Sequence, residues 1–216
     1  MKRKVICLII FTIFLFVACS NTESEENKII NTIKEFEQAE YGFYTLAINF
    51  RTYEKRIAPL MHSNSGYLDS QKKKDKFYIY SNGIHTLINY VSMEEVLDAD
   101  QGKLIELKDK FDKLVKEAGY PSAEIVPLYA SNVYTSKDGN SKYVYTKQTV
   151  HWGLDMPLEK YKKFILKEEG KLWKINIIIE DVISTDPESK HRKLREKVFT
   201  VHEGEKIEFI NKIDIF

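Results

Sequence analysis

The hydrophobic period of the chain changes once, near Ala123, and that change constrains the fold more than any other feature. Before it, apolar residues recur at helical spacing. Ile29, Ile30, Ile33 and Phe36, then Phe43, Tyr44 and Ala47, are interleaved with Lys34, Glu35, Glu37 and Gln38. Phe50, Tyr53, Ile57 and Leu60–Met61 predict a second helix whose last turn is weakened by Pro59. Residues 63–76 are polar and carry Lys72, Lys73, Lys74 and Lys76, and Phe77–Tyr80 predict a short strand ended by Ser81-Asn82-Gly83. Ser92-Met93-Glu94-Glu95 matches a capping box, in which Ser92 and Glu95 satisfy each other's exposed amides. Leu104, Leu107, Phe111, Leu114, Val115 and Ala118 form the clearest helical stripe, stopped at Gly119-Tyr120-Pro121.

Beyond Ala123 the period is two. Strand-like segments cover roughly 124–135, 142–152, 159–167, 171–180, 196–201 and 206–215. Asp138-Gly139-Asn140, Glu168-Glu169-Gly170 and His202-Glu203-Gly204-Glu205 read as hairpin turns. Alternation puts Trp173, Ile175, Ile177 and Ile179 on one strand face, and Ile207, Phe209, Ile213 and Ile215 on another. Helices followed by an antiparallel meander predict an α+β fold, with the N-terminal helices packed on the sheet.

That order, a helix pair, a short strand, a third helix and long hairpins, resembles the nuclear transport factor 2-like (cystatin-like) cone. Phe164-Ile165-Leu166-Lys167-Glu168-Glu169-Gly170-Lys171-Leu172-Trp173-Lys174-Ile175 is similar to the final hairpin of such domains. The likeness covers about residues 28–181, and residues 182–216 add a further hairpin. It implies a curved, cone-like sheet that binds small molecules or, in some members, hosts isomerase or dehydratase chemistry through Asp, Tyr and His.

The first residues give an address. Met1-Lys2-Arg3-Lys4 precedes Val5–Ala18, which is apolar except for Thr12, and Ser20 to Lys28 turn polar at once. This is the layout of an export signal, and it falls short of the roughly 20 apolar residues a membrane span requires. Phe16-Val17-Ala18-Cys19 resembles the bacterial lipoprotein signal, with Phe16 where Leu is usual. The resemblance implies cleavage before Cys19 and a diacylglycerol on its sulfur. The other reading is ordinary secretion with cleavage near Ala18. Residues 1–18 are thus read as signal peptide, 19–27 as a short acidic tether and 28–216 as one domain. After cleavage only Cys19 of the two cysteines remains, so no disulfide can form within the mature chain. Cleavage also removes Lys2, Arg3 and Lys4 and no acid, leaving 30 basic against 32 acidic residues. That balance gives no global field for nucleic acid.

Motifs for chemistry are sparse. On strand 142–152, Thr146, Gln148 and Trp152 are expected to face inward with Val144 and Val150 and are the candidate ligand contacts, with His151 facing out. His62, His85, His151, His191 and His202 lack metal-ligand spacing, and there is no phosphate loop or nucleophile elbow. Asp98-Ala99-Asp100-Gln101-Gly102 places its glycine one position early for a calcium loop, so Asp98 or Asp100 is read as a helix cap. Lys190, Arg192, Lys193, Arg195 and Lys197 form the densest basic run and are candidate contacts for anionic headgroups or envelope polymers. The expectation is a membrane-anchored surface lipoprotein on the extracytoplasmic face. It binds an envelope protein or polymer without cofactor or catalysis, with an isomerase- or dehydratase-type enzyme as the alternative.

Overall fold

The computed structural model describes residues 23–81, 84–120, 127–152 and 156–215, the side chains of 84–88, Trp152 and Met156 excepted. Helix α1 (Glu25–Tyr44) begins before its apolar stripe, because the Ser24 hydroxyl accepts from the Asn27 amide and Glu25 and Glu26 occupy the positive first turn. Residues 25–27, read as tether, are therefore helical. Helix α2 (Phe50–Ile57), capped by Asn49, tightens into a 3-10 turn over Ala58–Leu60 around Pro59. The polar stretch after it contains another short helix, α3 (Tyr67–Lys72).

Strand β1 (Lys76–Ser81) pairs antiparallel with β2 (Ile84–Ser92), an element absent from the predicted strands. Their register slips between Tyr78 and Tyr80, and the residues of β2 do not alternate in sequence as those of β1 do. The capping box forms as expected and starts α4 (Met93–Val96). Asp100 caps α5 (Gln101–Glu117) by accepting from the Lys103 amide at 2.8 Å, while Asp98 pairs with Arg51.

The rest is mainly sheet: β3 (Leu128–Ser131), β4 (Tyr134–Thr135), β5 (Lys142–Trp152), β6 (Met156–Glu169) and β7 (Leu172–Ser184). Two short helices follow, α6 (Lys190–Arg195) and α7 (Lys197–Thr200), then β8 (Val201–His202), β9 (Glu205–Lys206) and β10 (Phe209–Ile213). The fold is α+β. Strand β5 is its hub: β6 runs along one edge, while β4, β3 and β2 share the other, β2 in parallel. Strand β10 returns to pair with β3, and β8–β9 form a separate small hairpin. Gly170 (φ +68°) opens the two-residue turn between β6 and β7, and Glu203 and Gly204 are both left-handed in the β8–β9 turn, as tight hairpins demand.

One sheet face packs on the helices. Phe36 meets Phe164 edge-on at 5.5 Å and Phe43 meets Phe77 at 4.9 Å, within a core that also buries Ile33, Phe50 and Phe111. Each such side chain contributes about 1.5–3 kcal/mol. The opposite face carries a second, smaller core of Tyr161, Ile183 and Phe199, with Ile179 and Phe209 against it.

Three expectations need correction. Trp173, Ile175, Ile177 and Ile179 do not share a face: a bulge at Asn176, opposite Ile165 and Leu166, flips the strand. Ile175 and Ile178 consequently join the inner core, Ile179 the outer one, and Ile177 is exposed. A second bulge, between Phe209 and Asn211, separates Phe209 from Ile213 in the same way. Segment 196–201 is helical through Thr200, because Arg192 grips Glu196 one turn on and only Phe199 must reach the core.

Candidate functional site

Thr146 and Gln148 lie on the inner face of β5 between Val144 and Val150, all four buried, as the alternation predicts. The sequence did not reveal what faces them. Glu37 and Glu40, three residues apart on α1, point to the same place as Lys160 and Lys162, two apart on β6. Exposure falls to 5% for Glu37, 6% for Glu40 and 2% for Lys162. The Lys162 ammonium donates to Glu37 Oε2 at 2.6 Å and to Glu40 Oε2 at 2.5 Å. Thr146 donates to the other oxygen of Glu37 at 3.0 Å, and the Tyr67 hydroxyl donates to that of Glu40 at 3.2 Å. Tyr53 continues the chain, 3.1 Å from Tyr67. Lys160 lies 3.5 Å from both Glu40 and Glu180.

Burial alone would neutralise these groups. It pushes the Glu37 carboxyl up, and the charge of Glu40 adds to that, against the pull of Lys162. Burial also pulls Glu40 up, but Lys162, Lys160 and the bond from Tyr67 outweigh it and hold it at about 2. Lys162 is likewise raised, the two glutamates overcoming its desolvation. The two lysines and two glutamates cancel, and the cavity beside them, lined by Tyr80, Thr146, Gln148 and Ile215 among others, measures about 20 Å³. That is room for one water. Glu40 is too acidic to serve as a base near neutrality, and Glu37 is the carboxyl of the pair whose pKa is raised.

A signal for the cluster existed. Glu37 and Glu40 fall between Ile33, Phe36 and Phe43 on the apolar side of α1, and Lys160 and Lys162 are in phase with Phe164 and Leu166. Acids and bases at core positions of two elements, in equal number, predict a buried ion-pair network.

The other candidates are dispersed. Strand β5 ends at Trp152, whose side chain lies outside the described residues, as does Cys19. His151 is partly exposed and His202 bonds the Tyr145 hydroxyl at 2.9 Å. Among the described residues no group of three acids, histidines or cysteines could hold a metal, and no helix is long and apolar enough to cross a membrane. The basic run lies on α6 and α7, where three members are engaged internally: Arg192 with Glu159 and Glu196, Lys193 with Glu188, and Arg195 with Asp181. The pairs to Glu159 and Asp181 fasten α6 to β6 and β7 beside the outer core. Lys190 and Lys197 are exposed.

A larger recess of about 240 Å³ lies where α1 begins, between its first turns, the Pro59–Leu60 turn and the β6–β7 tip. Lys142 binds Glu25 at 3.1 Å and lies 5.3 Å over the Trp173 ring, tying the tip to the helix start. Comparison with known protein families, curated proteins and solved structures gives no significant match.

Proposed function

We propose that the chain is a lipid-anchored protein of the bacterial envelope, held through Cys19 on the extracytoplasmic face. Its domain, a relative of the cone-like folds its element order resembles, binds a partner at its surface without transforming a substrate inside. The observation that carries the second half is the interior cluster. Glu37, Glu40, Lys160 and Lys162 satisfy one another, and the space beside them accommodates a water but not a metabolite. Recognition then falls to the outside. The test has two parts: mass spectrometry of the native N-terminus for diacylglycerol on Cys19, and crosslinking in intact cells from exposed positions. A discrete partner on a lipidated chain supports the reading; a bare Cys19 on an intact leader removes it.

One observation favours the enzymatic alternative. A buried carboxyl raised by its surroundings, Glu37, lies beside an acid that touches Tyr67, the residue types that proton-transfer chemistry in a cone employs. If that reading holds, Glu37→Gln abolishes turnover of a small carbonyl or hydroxyl substrate in variant protein shown to be folded by circular dichroism.

A further inference from the structure

We propose that the β6–β7 tip is a second membrane contact: Leu172 and Trp173 enter the headgroup region of the bilayer that holds Cys19, so the domain rests on this end. The inference depends on the lipid anchor proposed above. Five residues separate Cys19 from Glu25, where α1 begins, and the six steps of extended chain, at most about 3.6 Å each, span about 22 Å in all. The start of α1 cannot leave that zone, and the tip is bound to it through Lys142, which pairs with Glu25 and covers the Trp173 ring.

The tip has the chemistry of an interfacial contact. Leu172 is 59% exposed at the end of a long hairpin, and Trp173 is half-buried next to it. Trp favours the headgroup boundary, and lysine stems can lie along apolar matter with their charges in water. Around the recess Glu25 pairs with Lys142, and Lys174 with Glu169. Lys28 and Lys171 have no ion pair among the described residues, against Glu168 in the same state, so the rim's residual charge is positive. Glu23 and Glu26, exposed at the start of α1, offset that charge, so the apolar tip and the short tether carry the contact.

The second tryptophan is a built-in control. Trp152 pairs with Met156 at the far end of the same hairpin, and Trp173 pairs with Glu168. The intervening twelve steps of β6 amount to about 40 Å of strand at about 3.3 Å per residue.

The experiment uses the lipidated full-length protein in vesicles of phosphatidylglycerol and phosphatidylcholine containing brominated lipid. Trp152→Phe reports Trp173, and Trp173→Phe reports Trp152. Quenching of Trp173 and not of Trp152 is expected, lost with Leu172→Asp. Neutralising Lys28 or Lys171 to Gln should weaken partition about fivefold each. Hydrogen exchange on the unsubstituted chain gives the same reading without variants, as protection of 168–174 on vesicles. Equal or absent quenching at the two sites, with diacylglycerol confirmed on Cys19, overturns the docking and leaves the anchor standing. A bare Cys19 in the mass spectrum overturns both.

Discussion

Lys162→Met removes one buried ammonium and keeps most of its stem, leaving Glu37 and Glu40 close together without the cation each touches within 2.6 Å. Removing one partner of a buried ion pair costs about 3–5 kcal/mol, because the remaining charge is stranded in a medium that solvates it poorly. Glu37 loses its ion-pair partner while Glu40 keeps Lys160 at 3.5 Å, which places this substitution within that range. For a chain of this length the melting temperature should fall by about 6–20 °C. The pH dependence identifies the cause. Glu37 already titrates above its unfolded value of 4.5, and losing Lys162 raises it further, so at this site the variant binds its proton more tightly folded than unfolded. Its deficit is then largest near pH 7 and shrinks as pH falls towards 4.5. The native protein behaves oppositely where Glu40 dominates. That group's depressed pKa contributes stability above 4.5, which is lost as pH falls through about 2. Urea unfolding followed by tryptophan fluorescence at pH 7 and pH 5 measures both. A loss under 1 kcal/mol, or one equal at the two pH values, would refute the description of the cluster as mutually neutralising.

Other substitutions probe separate links. Phe199→Ala should cost about 3 kcal/mol in urea denaturation, since its ring stacks on Tyr161 at 5.8 Å and is fully buried; an unchanged midpoint would mean the outer core is not packed. Gly170→Ala places a side chain on a left-handed residue at the hairpin tip and should cost about 1–2 kcal/mol by the same assay, although nothing crowds the added carbon. Desolvation lowers the His202 pKa, so its imidazole should titrate below 6.5 by NMR, with its contribution to stability complete above 6.5 and lost as pH falls through the lowered value. A midpoint at or above 6.5 contradicts the placement against Tyr145.

Much of the architecture is legible in the chain. Where one face of one element is apolar, as in α5 or in Val144–Val150, periodicity finds the element and most of its buried side: Leu104, Leu107, Phe111 and Val115 of α5 are inside, while Leu114 and Ala118 of the same stripe are exposed. It fails where the sheet bulges: at Asn176 and Ile210 a single extra residue moves every later side chain to the other face, and no local composition announces it. It fails at β2 for a related reason, its pairing slipping partway along. The inner position of Thr146 and Gln148 could be read from alternation; their partners leave a trace only in their phase with the apolar residues of α1 and β6, which is easily missed because charged residues are ordinarily assigned to solvent. Glu37 and Lys162 are inside because each makes the other tolerable, and that is a property of a pair 125 residues apart, invisible at either site alone.

The pairing of β5 with four other strands has a bearing on how the molecule is made. β6 takes one of its edges, and β4, β3 and β2 divide the other. Until residue 152 has emerged from the ribosome or translocation channel, the β1–β2 hairpin and the helices have no sheet to lie against. The Phe43 end of α1 can be covered early by Phe50 and Phe77, but the face of Phe36 that meets Phe164 must stay open until β6 follows, a window in which an escorting chaperone would find its substrate and after which assembly can close rapidly around one seam.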